Sequence, residues 1–308
     1  MKRIIFLCGL VLILTSYSKQ AVAQYYFYND TYYDSPILFE LGGSVGIMNC
    51  LTDLGGKKGI GKKFVKDLNL GKTNFAGGVY LNMLYKYMVG LRLEATFGKV
   101  SANDNVLKDV DKKDIARARY NRNLSFRSNI SEFSLITEVH PLFIFIDWTA
   151  RDEDPPRYSP YLLGGVGYYS FNPQTQYNGR WVDLQPLKTE GQGFVADRPE
   201  YKLHQLNFPV GLGIKYELSD VLNLRGEFVY RILTTDYLDD CSTTYFDPQE
   251  YVNSGLSPEN QLLSFKLSDR QLVDMAGPGS KRGSPSQKDG YFTFNLKLGF
   301  YIGRERIR

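Results

Sequence analysis

LHQLNFPVGLGIKY, Leu203 to Tyr216, is the stretch that decides the fold of this chain. Leu206, Phe208, Val210, Leu212, Ile214 and Tyr216 fall on alternate positions, with Gln205, Asn207, Pro209, Gly211, Gly213 and Lys215 between them. A period of two sends successive side chains to opposite faces of a strand, whereas a helix would repeat its apolar residues every three or four. VLNLRGEFVYRIL (221–233) repeats the pattern, with Leu222, Leu224, Phe228, Tyr230 and Ile232 against Asn223, Arg225, Glu227 and Arg231. So does YFTFNLKLGFY (291–301), with Phe292, Phe294, Leu296, Leu298 and Phe300 against Thr293, Asn295 and Lys297.

Working outward, the same signal predicts strands near 37–48, 75–86, 88–99, 129–145 and 158–171, about eight in all. Strand 88–99 sets Leu91, Leu93, Ala95 and Phe97 against Arg92, Glu94 and Thr96. Strand 129–145 sets Phe133, Leu135 and Val139 against Glu132, Glu138 and His140. Strands 37–48 and 158–171 are glycine-rich, and the pattern leaves their faces unassigned.

The connections sort by length. Short ones fall at Lys86–Met88 and Glu217–Asp220, with a longer one at Asp147–Arg157; long ones fall near 50–73, 100–128, 172–201 and 234–289. Short turns at one end and long loops at the other, with strands of roughly ten residues, are the pattern of a transmembrane antiparallel β-barrel. The chain holds 23 Tyr, 19 Phe and 29 Gly but 2 His and 5 Met, and aromatic girdles at the two interfaces account for that balance.

The polar face carries Arg92, Glu94, Glu132, Glu138, Lys215, Arg225, Glu227, Arg231 and Lys297. Charge on a lipid-facing surface is costly, so in a membrane barrel these nine point inward. About eight strands leave no room for a water channel, so they are expected to pair across the lumen as a plug. The rival reading is a lipocalin-like soluble barrel, with this face turned to water.

The chain opens MKRIIFLCGLVLILTSYSKQAVAQ. Lys2 and Arg3, the apolar run Ile4–Leu14 and Ala21-Val22-Ala23 read as a secretory signal peptide, residues 1–23, cleaved before Gln24. Residues 24–308 then form the barrel domain, expected in the outer membrane of a Gram-negative bacterium. Cys8 sits inside the apolar run and is not a lipobox cysteine. The net charge of +4 is scattered and gives no nucleic-acid footprint. Cys50 follows the first strand at its loop end, and Cys241 lies just beyond the loop end of the seventh. They are the candidate disulfide, since only the eighth strand would separate those two strands.

Few residues suggest chemistry. GGKKGIGKK (55–63) has phosphate-loop spacing, but Lys63 stands where Ser or Thr should bind magnesium, and no helix follows. Gly71-Lys72-Thr73 lacks its upstream glycine, with Lys66 in that place. His140 and His204 belong to opposite ends of their strands. His204, Asp239 and Ser242, at the loop end, are the best catalytic candidates, and no spacing supports them. LTTDYLDDCSTTYFD (233–247) lacks the glycine and terminal glutamate of a calcium loop. It reads as a solvated loop base at the outer membrane surface, hydrogen-bonded to neighbouring loops. No metal or cofactor is expected.

Four stretches resemble the PorG-type outer-membrane barrels of the type IX secretion system of Bacteroidota: ELGGSVGIMN (40–49), FNPQTQYNGRWVDLQPLKTEGQG (171–193), RILTTDYLDDCSTTY (231–245) and RGSPSQKDGYFTFNLKLGF (282–300). Thr189–Gly193 and Asp236–Asp240 are the most specific parts. The resemblance implies a non-enzymatic barrel in the machinery that exports proteins with C-terminal sorting signals. It also implies a periplasmic ring of PorK lipoprotein and PorN as partner. Asp152 and Pro155 in the Asp147–Arg157 turn, with Arg304, Arg306 and Arg308 in the tail, are the expected ring contacts. A barrel enzyme or an adhesin acting through its extracellular loops is the alternative; a solute porin is disfavoured by the plug.

Overall fold

A computed structural model describes residues 32–33, 37–56, 70–111, 113–146, 156–302 and 305–306. The expected signal peptide, Asp152, Pro155, Arg304, Arg308 and Lys57–Lys63 lie outside the described residues. Eight long strands make the body: β1 (Ile37–Leu51), β2 (Asn74–Tyr85), β3 (Val89–Asn103), β4 (Ser125–Val139), β5 (Tyr158–Ser170), β6 (His204–Glu217), β7 (Leu222–Leu233) and β8 (Gly290–Ile302). Each pairs antiparallel with its chain neighbour. β8 returns to β1 with Gly290 opposite Leu51 and Ile302 opposite Phe39. The sheet therefore closes and has no free edge, the one way a sheet satisfies its backbone inside hydrocarbon.

The barrel is inside out compared with a soluble protein. Phe75, Phe133, Leu93 and Leu162 are 58–72% exposed on the outer wall, while Glu40, Arg92, Glu132, Glu138 and Arg225 are 0% exposed inside it. A soluble barrel would reverse both. The apolar outer belt belongs against lipid, so the fold is that of an outer-membrane barrel and the soluble alternative fails. All nine charges expected in the lumen lie there, buried. β1 resolves its unassigned faces: Phe39, Leu41, Val45 and Ile47 point out; Leu38, Glu40, Ser44 and Met48 point in.

The expected strand 129–145 is corrected at both ends. β4 begins at Ser125 and stops at Val139, and Pro141–Phe145 form a short helix. Pro141 has no N–H to give the ladder, so the strand ends beside it and Ile144 and Phe145 leave the sheet. The tight turn after β2 holds Lys86 and Tyr87 at φ 46° and 58°. Neither is glycine, and Tyr87 is fixed there by packing against Leu38, Leu84, Phe143 and Tyr301.

The long loops carry structure that periodicity did not forecast: helix α1 (Ala116–Arg122), a hairpin of Gln174–Tyr177 with Arg180–Asp183, and a helix at Pro258–Ser268. Ser257 caps that last helix by accepting from Asn260 N. Below the barrel, Glu305–Arg306 in the tail pair with Tyr32–Tyr33.

Candidate functional site

Two layers follow from this architecture, a charge lattice in the lumen and a dome of loops above it. In the lattice, Arg92 on β3 lies 2.6 Å from Glu138, 2.8 Å from Glu227 and 3.0 Å from Glu94. Arg225 on β7 reaches Glu138 at 2.9 Å and also pairs with Glu40. Lys297 on β8 bridges Glu94 at 2.6 Å and Glu227 at 2.7 Å. Arg231 meets Glu132 at 3.1 Å, and Lys215 meets Glu217 at 3.1 Å. Buried tyrosines take remaining carboxylate valences: Tyr161 donates to Glu227 at 2.8 Å and Tyr291 to Glu132 at 2.9 Å. Tyr80 donates to Glu40 across Gly42, where a Cβ would collide with the Tyr80 ring.

Glu40 and Glu217 are lattice members that the sequence reading missed. Glu40 is the only charge in a glycine-rich strand whose faces looked alike; Glu217 is the last residue of β6 and was read as turn. Apolar layers seal the lattice above and below. Met48, Val100, Ile130, Tyr169 and Tyr291 belong to the loop-end cluster; Leu38, Leu84, Tyr87, Phe143 and Tyr301 form the turn-end cluster. His140 lies at the turn end, its Nδ1 2.8 Å from Ser159 Oγ and its Nε2 3.5 Å from Glu138.

In the dome, Glu190 is the hub. It accepts Ser242 N at 3.0 Å, Thr243 N at 2.9 Å and Arg282 Nη1 at 2.7 Å. Arg282 also donates to the Asp240 carbonyl at 2.8 Å. The Asp240 side chain accepts from Thr189 and, at 2.7 Å, from Tyr201. A second arginine, Arg122 in α1, grips Asp104 with Nε and Nη2 at 2.8 and 2.9 Å. It also donates to the carbonyls of Asp53 and Arg282 at 2.7 and 2.6 Å. The stretch 233–247 is thus hydrogen-bonded to neighbouring loops as expected, but the solvated part of that expectation is corrected: Asp236, Asp239, Asp240, Cys241 and Ser242 are buried.

Asp53, Asp236, Asp239 and Asp289 crowd the base of the dome. Burial, then Asp53 and Glu190, push the Asp236 carboxyl up to about 8. Burial and the same group of carboxylates raise Asp239 and Asp289 well above the usual range. Asp240 is also raised by burial, but Arg282 and the hydrogen bonds from Thr189 and Tyr201 hold it at about 6.

The catalytic candidates separate. His204 is exposed on the outer wall, stacked 6.2 Å from Tyr168, whereas Asp239 and Ser242 are buried in the dome. The candidate disulfide is corrected: Cys50 and Cys241 are both free and buried. They share one apolar cluster but turn to different partners. Cys50 Sγ faces the Ser101 carbonyl at 3.9 Å, and Cys241 Sγ the Arg282 carbonyl at 3.3 Å. Among the described residues no group of three acidic, histidine or cysteine side chains is arranged to hold a metal ion. Of the expected ring contacts, Arg306 alone is described, in the short pairing with Tyr32.

No family model and no curated protein matches the chain. Solved outer-membrane barrels do. A major outer membrane protein from Thermus thermophilus is 14% identical, covers 87% of this chain and 100% of its own, and has a TM-score of 0.39. Neisserial surface protein A is 7% identical, with 87% and 98% covered and a TM-score of 0.36. The N-terminal β-barrel domain of Pseudomonas aeruginosa OprF is 10% identical, with 86% and 97% covered and a TM-score of 0.33. At such identities and TM-scores the likeness carries no argument, and the fold rests on the closed sheet and its apolar outer belt.

Proposed function

We propose that this outer-membrane barrel is a non-enzymatic component of the type IX protein secretion machinery, linking the membrane to a periplasmic ring of the PorK and PorN type. The observation that supports it best is the dome hub. The two most specific stretches of the PorG resemblance, Thr189–Gly193 and Asp236–Asp240, touch through Thr189 and Asp240. Arg282, from a third resembling stretch, binds both Glu190 and the Asp240 carbonyl. Residues from three of the four resembling stretches thus meet in one hub. The sealed lumen agrees, because it leaves the molecule to act through its two ends.

On this reading the ring docks at the turn end, through the Asp147–Arg157 turn and the tail. Photo-crosslinkers at Asp152 and Arg306 are expected to capture a ring subunit, and those at Asp109 and Ser280 are not; the reverse pattern would overturn the assignment. Deletion should abolish export of proteins with C-terminal sorting signals. His204→Ala and Ser242→Ala should restore it, and failure of either in a folded barrel would favour an enzyme.

A binding role for the dome is a second reading, favoured by exposed apolar loop residues such as Val252 (88% exposed) and Met275 (69%). Normal secretion in a deletion strain that has lost surface adhesion would select it.

A further inference from the structure

At the loop end, on the outside of the wall, three neighbouring strands build a floor. Gly290 of β8 stands between Ile232 of β7 and Leu51 of β1. The Tyr230 hydroxyl lies over Gly290, in the space a Cβ would need, so the ring reaches from β7 over β8. Ile115 and α1 on one side and the 271–289 segment on the other enclose a cavity of about 710 Å³ above this floor.

The lining is amphipathic. Among the described residues, Arg119, Arg122, Lys281, Arg282 and Lys288 line it against two carboxylates, Asp53 and Asp289. Arg122 and Arg282 are neutralised by Asp104 and Glu190. Asp53 accepts Ser284 N, Asp289 accepts Leu238 N, and burial raises both carboxyls. Lys281 and Lys288 bring positive charge to the space, and Arg119, which donates to the Gly55 carbonyl at 3.0 Å, lines the same cavity. Next to these cations, Ile115 and Met275 are 66% and 69% exposed. Below the floor the wall continues into the apolar belt at Ile232 and Phe294. A tyrosine at this height is where barrels meet the outer headgroup region.

We propose that this cavity binds the phosphorylated headgroup of an outer-leaflet glycolipid, with phosphate at Lys281, Lys288 and Arg119 and acyl chains running down the wall past Tyr230. Lysines and arginines near a membrane surface recognise anionic headgroups. Tyr230 and Leu51, which line the cavity from the outward face of the wall, favour a lipid over an acidic peptide. This site is independent of the ring contact and of the secretion reading.

The test is native mass spectrometry of the mature protein in mild detergent, titrated with bisphosphorylated lipid A and with its dephosphorylated form. Lys281 and Lys288 are exposed, so K281Q/K288Q leaves the barrel intact; K108Q, in another loop, is the control. The bisphosphorylated lipid should bind preferentially. The double variant should lose about tenfold or more, since each cation contributes roughly a fivefold factor. The control should match the parent. Equal retention of the two lipids, or an unchanged double variant, would overturn the proposal. So would displacement by equimolar inorganic phosphate, which marks a free-anion site, or tighter binding of a polyglutamate peptide.

Discussion

Arg92 and Glu227, 135 residues apart in the chain, meet at 2.8 Å in the middle of the barrel. They stand on β3 and β7, four strands apart in a closed ring of eight, so the pair spans the full width of the lumen.

Removing one member of this lattice strands the others in a buried interior. Arg92→Leu leaves Glu94, Glu138 and Glu227 short of a cation and is expected to cost about 3–5 kcal/mol. Lys108→Ala, on an exposed loop, should stay within about 0.5 kcal/mol. Denaturant titration followed by the heat-modifiable gel shift distinguishes the two, and equal midpoints would refute the structural role of the lattice.

A lumen filled by this lattice and closed at both ends by apolar layers should not conduct. In planar bilayers the protein is expected to give no stable stepwise conductance. Reproducible single-channel steps would mean that the plug opens.

The Asp236 carboxyl binds its proton more tightly folded than unfolded, where the usual value is about 3.9. Its contribution to stability is full below that value and is lost as pH rises through about 8. Asp239 and Asp289 act in the same direction. The dome should therefore be cut faster by protease at about pH 9 than at about pH 6, relative to an unstructured substrate. Asp236→Asn should flatten the dependence; protection that increases with pH would contradict it.

Both thiols are expected to be free and sheltered. A chain made without residues 1–23 should release two thiols on denaturation without reductant and show almost none while folded. Absence of thiols in the denatured, unreduced chain would restore the disulfide.

The barrel was legible because its two faces differ so sharply: Leu206 to Tyr216 fixes a period of two, and Arg225, Glu227 and Arg231 fix which side is dry. Glu40 escaped because glycine removes the contrast on which alternation depends. The end of β4 was misplaced because Ile144 and Phe145 look like strand; the missing N–H of Pro141 outweighs their propensity. The dome was beyond reach. Glu190 comes from one loop and Asp240 and Arg282 from opposite ends of another, and only tertiary folding reveals that they form one hub. The Cys50–Cys241 spacing allowed a bridge, but strand adjacency does not determine where each sulfur turns.

The lattice also constrains how the protein enters the membrane. Arg225 finds Glu138 from 87 residues away and Glu40 from 185. Strands β1 to β4, inserted alone, would hold Glu40, Glu94, Glu132 and Glu138 against the single cation Arg92, with no β7 or β8 to supply the rest. Exposing that face to hydrocarbon is prohibitive. Biogenesis must therefore keep the inner face in contact with water, or with an assembly factor, until β8 zips onto β1. Insertion becomes a single late event in which the last strand supplies both the final seam and, in Lys297, the final counter-charge.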